Sequence, residues 1–246
     1  MIYLTGDTHI PLDIEKLSKK NFPEQKNMTR NDYVIVLGDF GLLWKRNKTY
    51  LYWLDILSKK NFTLLWLDGN HENFDWLEEF PIKEWNGGQV HMIADNIIHL
   101  MRGNIFQIQN RSFLVLGGAP SIDKECRMEG ISWWAREEIS RQEAEQSLTK
   151  LEEINYTVDY VLTHTCPKIL IQKMFGLHSI VNSYTESFLD EIAPKIKCKK
   201  WFFGHWHEER EYKNYRCLYN SIVPLEEKEG VSRESSGNKT KEFRHF

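Results

Sequence analysis

Short apolar runs alternate with amphipathic segments along this chain. Runs at 2–5 (IYLT), 33–37 (YVIVL), 62–67 (FTLLWL), 113–116 (FLVL), 158–162 (VDYVL) and 201–203 (WFF) predict strands. Less regular runs at 89–93, 97–101, 104–108 and 215–219 predict more of them. Helical spacing predicts helices at 12–20, 48–59, 73–79, 135–154, 167–174 and 184–192. Strands separated by helix-length segments mark crossover units, hence an α/β chain with a parallel or mixed sheet. Residues 88–116 read instead as consecutive antiparallel strands. From Glu226 to Phe246 apolar periodicity is lost, and the run reads as a polar, flexible tail. Residues 1–225 then form a single domain.

The strong strands end alike. Run 2–5 leads into Gly6-Asp7-Thr8-His9, and 33–37 into Gly38-Asp39. Run 62–67 leads into Asp68-Gly69-Asn70-His71-Glu72, and 158–162 into Thr163-His164-Thr165. Run 201–203 leads into Gly204-His205-Trp206-His207. In open α/β sheets ligands sit beyond the carboxyl ends of strands, so these ends predict one point of convergence. Each motif alone is commonly a turn, or for Asn70 a helix cap; their joint occurrence singles them out.

What converges is Asp, Asn and His without Cys. That donor set suits Mn, Fe or Zn rather than a sulfur-bound structural zinc. A tetrahedral ion uses about four ligands. The larger set fits two ions sharing a carboxylate, at the roughly 3.5–4 Å separation of two-metal hydrolases. His91, His99, His178 and His245 lack such company and read as ordinary surface or core residues.

The 246 residues are 41% hydrophobic and 13% aromatic, enough for a sizeable core. With 32 Lys+Arg against 35 Asp+Glu the formal net charge is −3. No strong basic field therefore draws the chain to nucleic acid or an anionic membrane, although a nucleotide substrate stays open. No run approaches the roughly 18 apolar residues of a membrane helix, and no secretory leader is seen. Cys126, Cys166, Cys198 and Cys217 form no C-x-x-C pair and read as reduced thiols. These features predict a cytoplasmic protein with no membrane partner; they do not specify an oligomeric state.

In type and order, Asp7-x-His9, Gly38-Asp39, Gly69-Asn70-His71-Glu72, His164 and Gly204-His205-x-His207 resemble the signature blocks of the calcineurin-like metallophosphoesterase superfamily. The resemblance covers about residues 1–225. It implies a four-layer α/β/β/α sandwich with a dinuclear centre at the strand ends. It implies one metal held by Asp7, His9, Asp39 and His207. The other would be held by Asp39, Asn70, His164 and His205, with Asp39 bridging. Two divalent ions are implied, manganese first, with iron or zinc as alternatives. His71 would be the catalytic histidine and not a ligand. The implied reaction is hydrolysis of a phosphomonoester or phosphodiester, small or nucleotide-like. A hydroxide bridging the ions would attack while His71 protonates the leaving oxygen. A plain phosphate-binding donor is the other role open to His71.

Departures narrow this reading. Serine/threonine phosphoprotein phosphatases carry G-D-x-V-D-R-G where this chain has Gly38-Asp39-Phe40-Gly41-Leu42-Leu43-Trp44. They also place Arg where Asp68 stands. Two phosphate-binding arginines and the acid that orients the catalytic histidine are missing, which argues against a protein phosphatase. Asp68 and Glu72 are then the candidates to orient His71. The turn-rich segment 117–134 reads as a loop over the site and is similar to one in uncharacterised bacterial and phage members. Lys124 and Arg127 are candidate phosphate contacts, and Trp133 or Trp134 a candidate stacking surface for a base. The alternative is a Trp pair packing the loop onto the body. Two further functions are weighed: a nuclease using the same centre on DNA or RNA, and a non-catalytic metal-binding interaction module. The lack of a basic stripe counts against the first, and the complete ligand set against the second.

Overall fold

Two sheets pack face to face, and helices cover both outer surfaces. The computed structural model describes residues 1–177 and 182–226. Its first half comprises β1 (Ile2–Thr5), β2 (Tyr33–Val36), α1 (Lys48–Ser58), β3 (Thr63–Trp66), α2 (Phe74–Leu77), β4 (Ile82–Trp85), β5 (Gly88–Ala94), β6 (Ile97–Leu100), β7 (Asn104–Ile108) and β8 (Arg111–Leu116). Then come α3 (Arg141–Glu153), β9 (Tyr160–Thr163), α4 (Lys168–Phe175), α5 (Tyr184–Ile192), β10 (Lys200–Phe203), β11 (Arg210–Tyr212), β12 (Tyr215–Cys217) and β13 (Ile222–Pro224). One sheet has the order β13-β1-β2-β3-β6-β5-β4 and the other β11-β12-β10-β9-β8-β7. β1, β2 and β3 run parallel, as do β8, β9 and β10.

Alternation along each strand builds three apolar layers. Leu4, Ile35 and Leu65 face Phe106, Phe113, Leu162 and Phe202 between the sheets. The intervening Val34, Val36, Leu64 and Trp66 point outward and pack with Leu57 of α1 and Trp76 and Leu77 of α2. On the far side Leu114, Val161, Trp201 and Phe203 meet Leu151 of α3, Leu170 of α4 and Phe188 of α5. Strands covered on both faces read as unbroken apolar runs, which is why these were visible. The result is the expected α/β/β/α arrangement.

Several elements differ from expectation. The segment 88–116 is not one meander. β5 and β6 pair in one sheet, β7 and β8 in the other, and the chain crosses between them at residues 101–103. The expected helix 12–20 shrinks to a 3-10 turn at Ile14–Leu17. There Lys16 turns inward and donates to the carbonyls of Asp7 and Tyr219, each at 2.5 Å. The expected helix 135–154 begins only at Arg141, because Ser140 and Glu143 form a reciprocal cap. β4, β11 and β13 were not anticipated; they are edge strands of three or four residues. His178, His245 and the tail beyond Glu226 lie outside the described residues. Among the described residues no helix is long and apolar enough to cross a membrane.

Candidate metal centre

The ends of β1, β2, β3, β9 and β10 bring the polar motifs together. Asp7, Asp39 and His164 are buried at the centre. His164 Nε2 lies 3.3 Å from Asp39 Oδ1, and His164 Nδ1 lies 4.0 Å from Asp7 Oδ1. His9 Nε2 is 3.2 Å from Asp39 Oδ2, and His207 Nε2 is 2.9 Å from Asp7 Oδ2. Asn70 Oδ1 sits 3.1 Å from His164 Nε2 and 3.0 Å from His205 Nδ1. Asp7, His9 and His207 offer atoms within 4.8 Å of one another, as do Asp7, Asp39 and His164. All seven expected ligands therefore belong to one cluster.

Local chain geometry explains the glycines. A Cβ on Gly38 would stand 2.1 Å from His164 Nδ1, one on Gly69 2.0 Å from Asp39 Oδ1, and one on Gly204 2.3 Å from Asp7 Oδ1. Only a residue without a side chain lets these backbones pass so close to the cluster. The polar residues themselves bend into the left-handed region: His9 at φ 36°, Asp39 at 47°, His205 at 67° and His207 at 49°. Such conformations cost on the order of 1–3 kcal/mol each and gather at functional sites.

The electrostatics call for positive charge. Burial pushes the Asp39 carboxyl upward, but the His164 imidazole facing it more than reverses this and leaves it well below the usual carboxylate range. His164 and His9 show the mirror effect. Burial disfavours their protonation, yet Asp39 lifts them to about 10 and about 9. His205, with burial dominant, falls to about 3. Asp7 Oδ2 is buried, with His207 Nε2 as its neighbour at 2.9 Å. Deeply held carboxylates and converging imidazoles fit divalent cations.

Neighbouring groups orient the ring nitrogens. His164 donates through Nδ1 to the Leu37 carbonyl at 2.7 Å, which leaves Nε2 facing the cluster. His9 Nδ1 pairs with Asp13 Oδ2 at 3.0 Å, which presents its Nε2 likewise. Asn70 Nδ2 donates to Ser121 Oγ at 3.1 Å, and Ser121 is bound in turn by buried Glu137. Asp13, Ser121 and Glu137 carry no motif that sequence reasoning could have caught.

His71 lies at the rim. Its backbone N–H donates to Asp39 Oδ1 at 2.8 Å, and its ring stands edge-on to His9 and Trp44. Burial lowers its pKa. The expectation that Asp68 or Glu72 orients it fails. Asp68 turns to Arg102 and His99, while Glu72 Oε1 accepts the Phe40 N–H at 3.0 Å. The group at the His71 ring is Arg127, whose Nη1 donates to Nδ1 at 3.0 Å. Arg127 is held by Asp123 and the Ser132 carbonyl. Lys124 and Trp133 meet each other, ammonium 5.9 Å from ring centre. Trp134 is buried, donates to Asp75 at 2.8 Å and packs on Trp44, so it anchors the loop to the body. Trp206 stacks on Phe175. His91 and His99, expected to be unremarked core or surface residues, form a buried stacked pair beside Asp68.

A sequence model of a family described as calcineurin-like phosphoesterase matches residues 1–209. No curated protein matches the chain. Among solved structures, the chain is similar to phosphopantetheinyl hydrolase from Mycobacterium tuberculosis at 14% identity and a TM-score of 0.43, over 89% of this chain and 87% of that one. It is similar to a Staphylococcus aureus protein provisionally classed as a 5′-nucleotidase at 13% identity and a TM-score of 0.46, over 89% of this chain and 48% of the other.

Proposed function

Because this chain belongs to the calcineurin-like phosphoesterase family, its coarse function is metal-dependent phosphoester hydrolysis, and we propose a finer assignment. Asp7, His9, Asp39 and His207 hold one divalent cation. Asp39, Asn70, His164 and His205 hold a second, and Asp39 is shared. Manganese is the first choice for this donor set, with iron or zinc as alternatives. The substrate is a small or nucleotide-like phosphoester. The observation that carries the reading is the meeting of the β1 and β2 carboxylates with the β9 and β10 imidazoles within 4.0 Å.

When bound, the cations neutralise charge on the phosphate and lower the pKa of an attacking water. The chain's own residues position and protonate. His71 serves the leaving oxygen through Nε2. Because its Nδ1 accepts from Arg127, the ring proton rests on Nε2. Giving that proton away requires a second proton at Nδ1, and hence release of the guanidinium. A substrate phosphate oxygen offers Arg127 a charged acceptor in exchange. Arg127 thus binds phosphate and frees His71 to act as general acid.

The test is metal analysis followed by turnover with added Mn. About two ions per chain and hydrolysis of an aryl monophosphate or a bis-aryl phosphate are expected. The preferred ester sorts monoesterase from diesterase. Cleavage of a single-stranded oligonucleotide in preference to both would move the assignment to a nuclease. Failure to bind metal or turn over any phosphoester would overturn it in favour of an interaction module.

A further inference from the structure

Asn70 offers the cluster an amide, and an amide has two faces of similar shape and opposite character. Its oxygen can meet a cation; its NH2 cannot. Something must therefore decide which face turns inward, and the hydrogen bonds behind Asn70 run in one direction. The buried Glu137 carboxylate accepts the Ser121 backbone N–H at 2.7 Å through Oε1 and the Ser121 hydroxyl at 2.8 Å through Oε2. A carboxylate only accepts, so the single hydroxyl proton of Ser121 is committed to Glu137. Toward Asn70 the hydroxyl oxygen then has lone pairs alone. The group that meets it at 3.1 Å must be the Nδ2 donor. Oδ1 is thereby turned toward His164 Nε2 and His205 Nδ1, at 3.1 and 3.0 Å.

The same two residues close the neck of a loop. The Ala119 N–H donates to the Glu137 carbonyl at 3.0 Å, so residues 119–121 and 137 lie together where the loop leaves and returns. Between them the chain carries Arg127 to the His71 ring and Trp134 to Trp44. The support of one cluster side chain and the anchorage of the segment over His71 are one hydrogen-bonded unit.

We infer that Ser121 and Glu137 are positioning residues that hold the Asn70 amide oxygen toward the metal centre and link metal binding to closure of the loop 121–137. The inference rests on the reading of Asn70 as a metal ligand. Metal binding and loop anchorage then favour each other reciprocally, as linkage requires.

Two variants test it, measured on metal-stripped protein by Mn titration and by limited trypsin digestion at Lys124, Arg127 and Arg136. Ser121→Ala removes the acceptor of the Asn70 NH2. Glu137→Gln keeps the volume but breaks the direction. The Ser121 backbone N–H still demands an oxygen, so the new NH2 must face the Ser121 hydroxyl. That frees the hydroxyl proton to turn on Asn70 and favours the reversed amide. Both variants are expected to fold by circular dichroism and to bind Mn about 10–100-fold more weakly, the usual cost of losing an outer-shell partner. Saturating Mn should restore turnover. Mn should slow tryptic cleavage in the wild type and protect less in the variants. If Ser121→Ala fails to fold, the near-isosteric Glu137→Gln carries the test. Wild-type binding with variant affinities within about twofold of it, well short of an outer-shell loss, would refute the positioning role. A wild type that binds no Mn would bring down the ligand assignment itself, and this inference with it.

Discussion

His164 donates its Nδ1 hydrogen to the Leu37 carbonyl at 2.7 Å, a bond between the end of β9 and the end of β2. Gly38, the next residue after Leu37, lies so close beneath that imidazole that its Cβ would meet Nδ1 at 2.1 Å. The ring's tautomer and the absent side chain are parts of one arrangement.

Gly38→Ala should therefore destabilise the fold by roughly 1–3 kcal/mol, from a strained φ of 94° and a displaced ring. It should also lower metal content. Gly130→Ala is the control, because its φ of 72° is strained but its Cβ would meet nothing within 4 Å. Thermal melting and metal analysis read the pair. Full metal content in Gly38→Ala would dismiss the close-packing argument.

His71→Gln should keep the metal and lower turnover by on the order of 10²–10⁴, the usual worth of a general acid. Arg127→Ala should also lose turnover. If the guanidinium also withholds Nδ1 until phosphate draws it away, Arg127→Ala frees His71 and offsets part of its own loss, so the double variant should lose more than the product of the two single effects. Multiplicative losses would assign Arg127 to phosphate alone.

Asp39→Asn should lower metal content and turnover together. Its carboxylate faces both His9 and His164, while its Oδ1 also holds the His71 N–H. A variant with wild-type metal occupancy would show that Asp39 is not shared between two cations.

His91 supplies a prediction about pH. Burial is the largest cause, and the neighbouring His99 adds to it, in lowering its pKa to about 4. The unfolded value is about 6.5, so below that pH the unfolded chain binds the proton first. The stability contribution is fully present above pH about 6.5 and drains away as pH falls toward about 4, a loss on the order of 3 kcal/mol. His91→Phe should flatten this slope in urea titrations at a series of pH values; an unchanged slope would locate the acid sensitivity elsewhere.

The legible parts of the chain were those where burial and covalent sequence coincide. β1, β2, β3, β9 and β10 are apolar on both faces, and each hands its polar motif to the same end of the sandwich. The cluster could be named before any coordinates for that reason. β4 and β11 were illegible because they are short edge strands with exposed charged residues, although Asn86-Gly87 after β4 is a strong hairpin signal. The partner of His71 was misjudged because Asp68 is near in sequence but its carboxylate is taken by Arg102 and His99, whereas Arg127 arrives from 56 residues away. No spacing rule connects such a pair. The same holds for Ser121 behind Asn70.

The division of the cluster between the sheets has a mechanical corollary. Asp7, His9, Asp39 and Asn70 follow strands of one sheet, and His164, His205 and His207 follow strands of the other. On the proposed assignment each cation would act as a rivet through both plates of the sandwich. Prising the plates apart would mean surrendering the ions, and filling the sites to about a hundred times their dissociation constant would resist that by about 2.7 kcal/mol for each independent site. A chelator would then loosen the whole body as well as silence the chemistry.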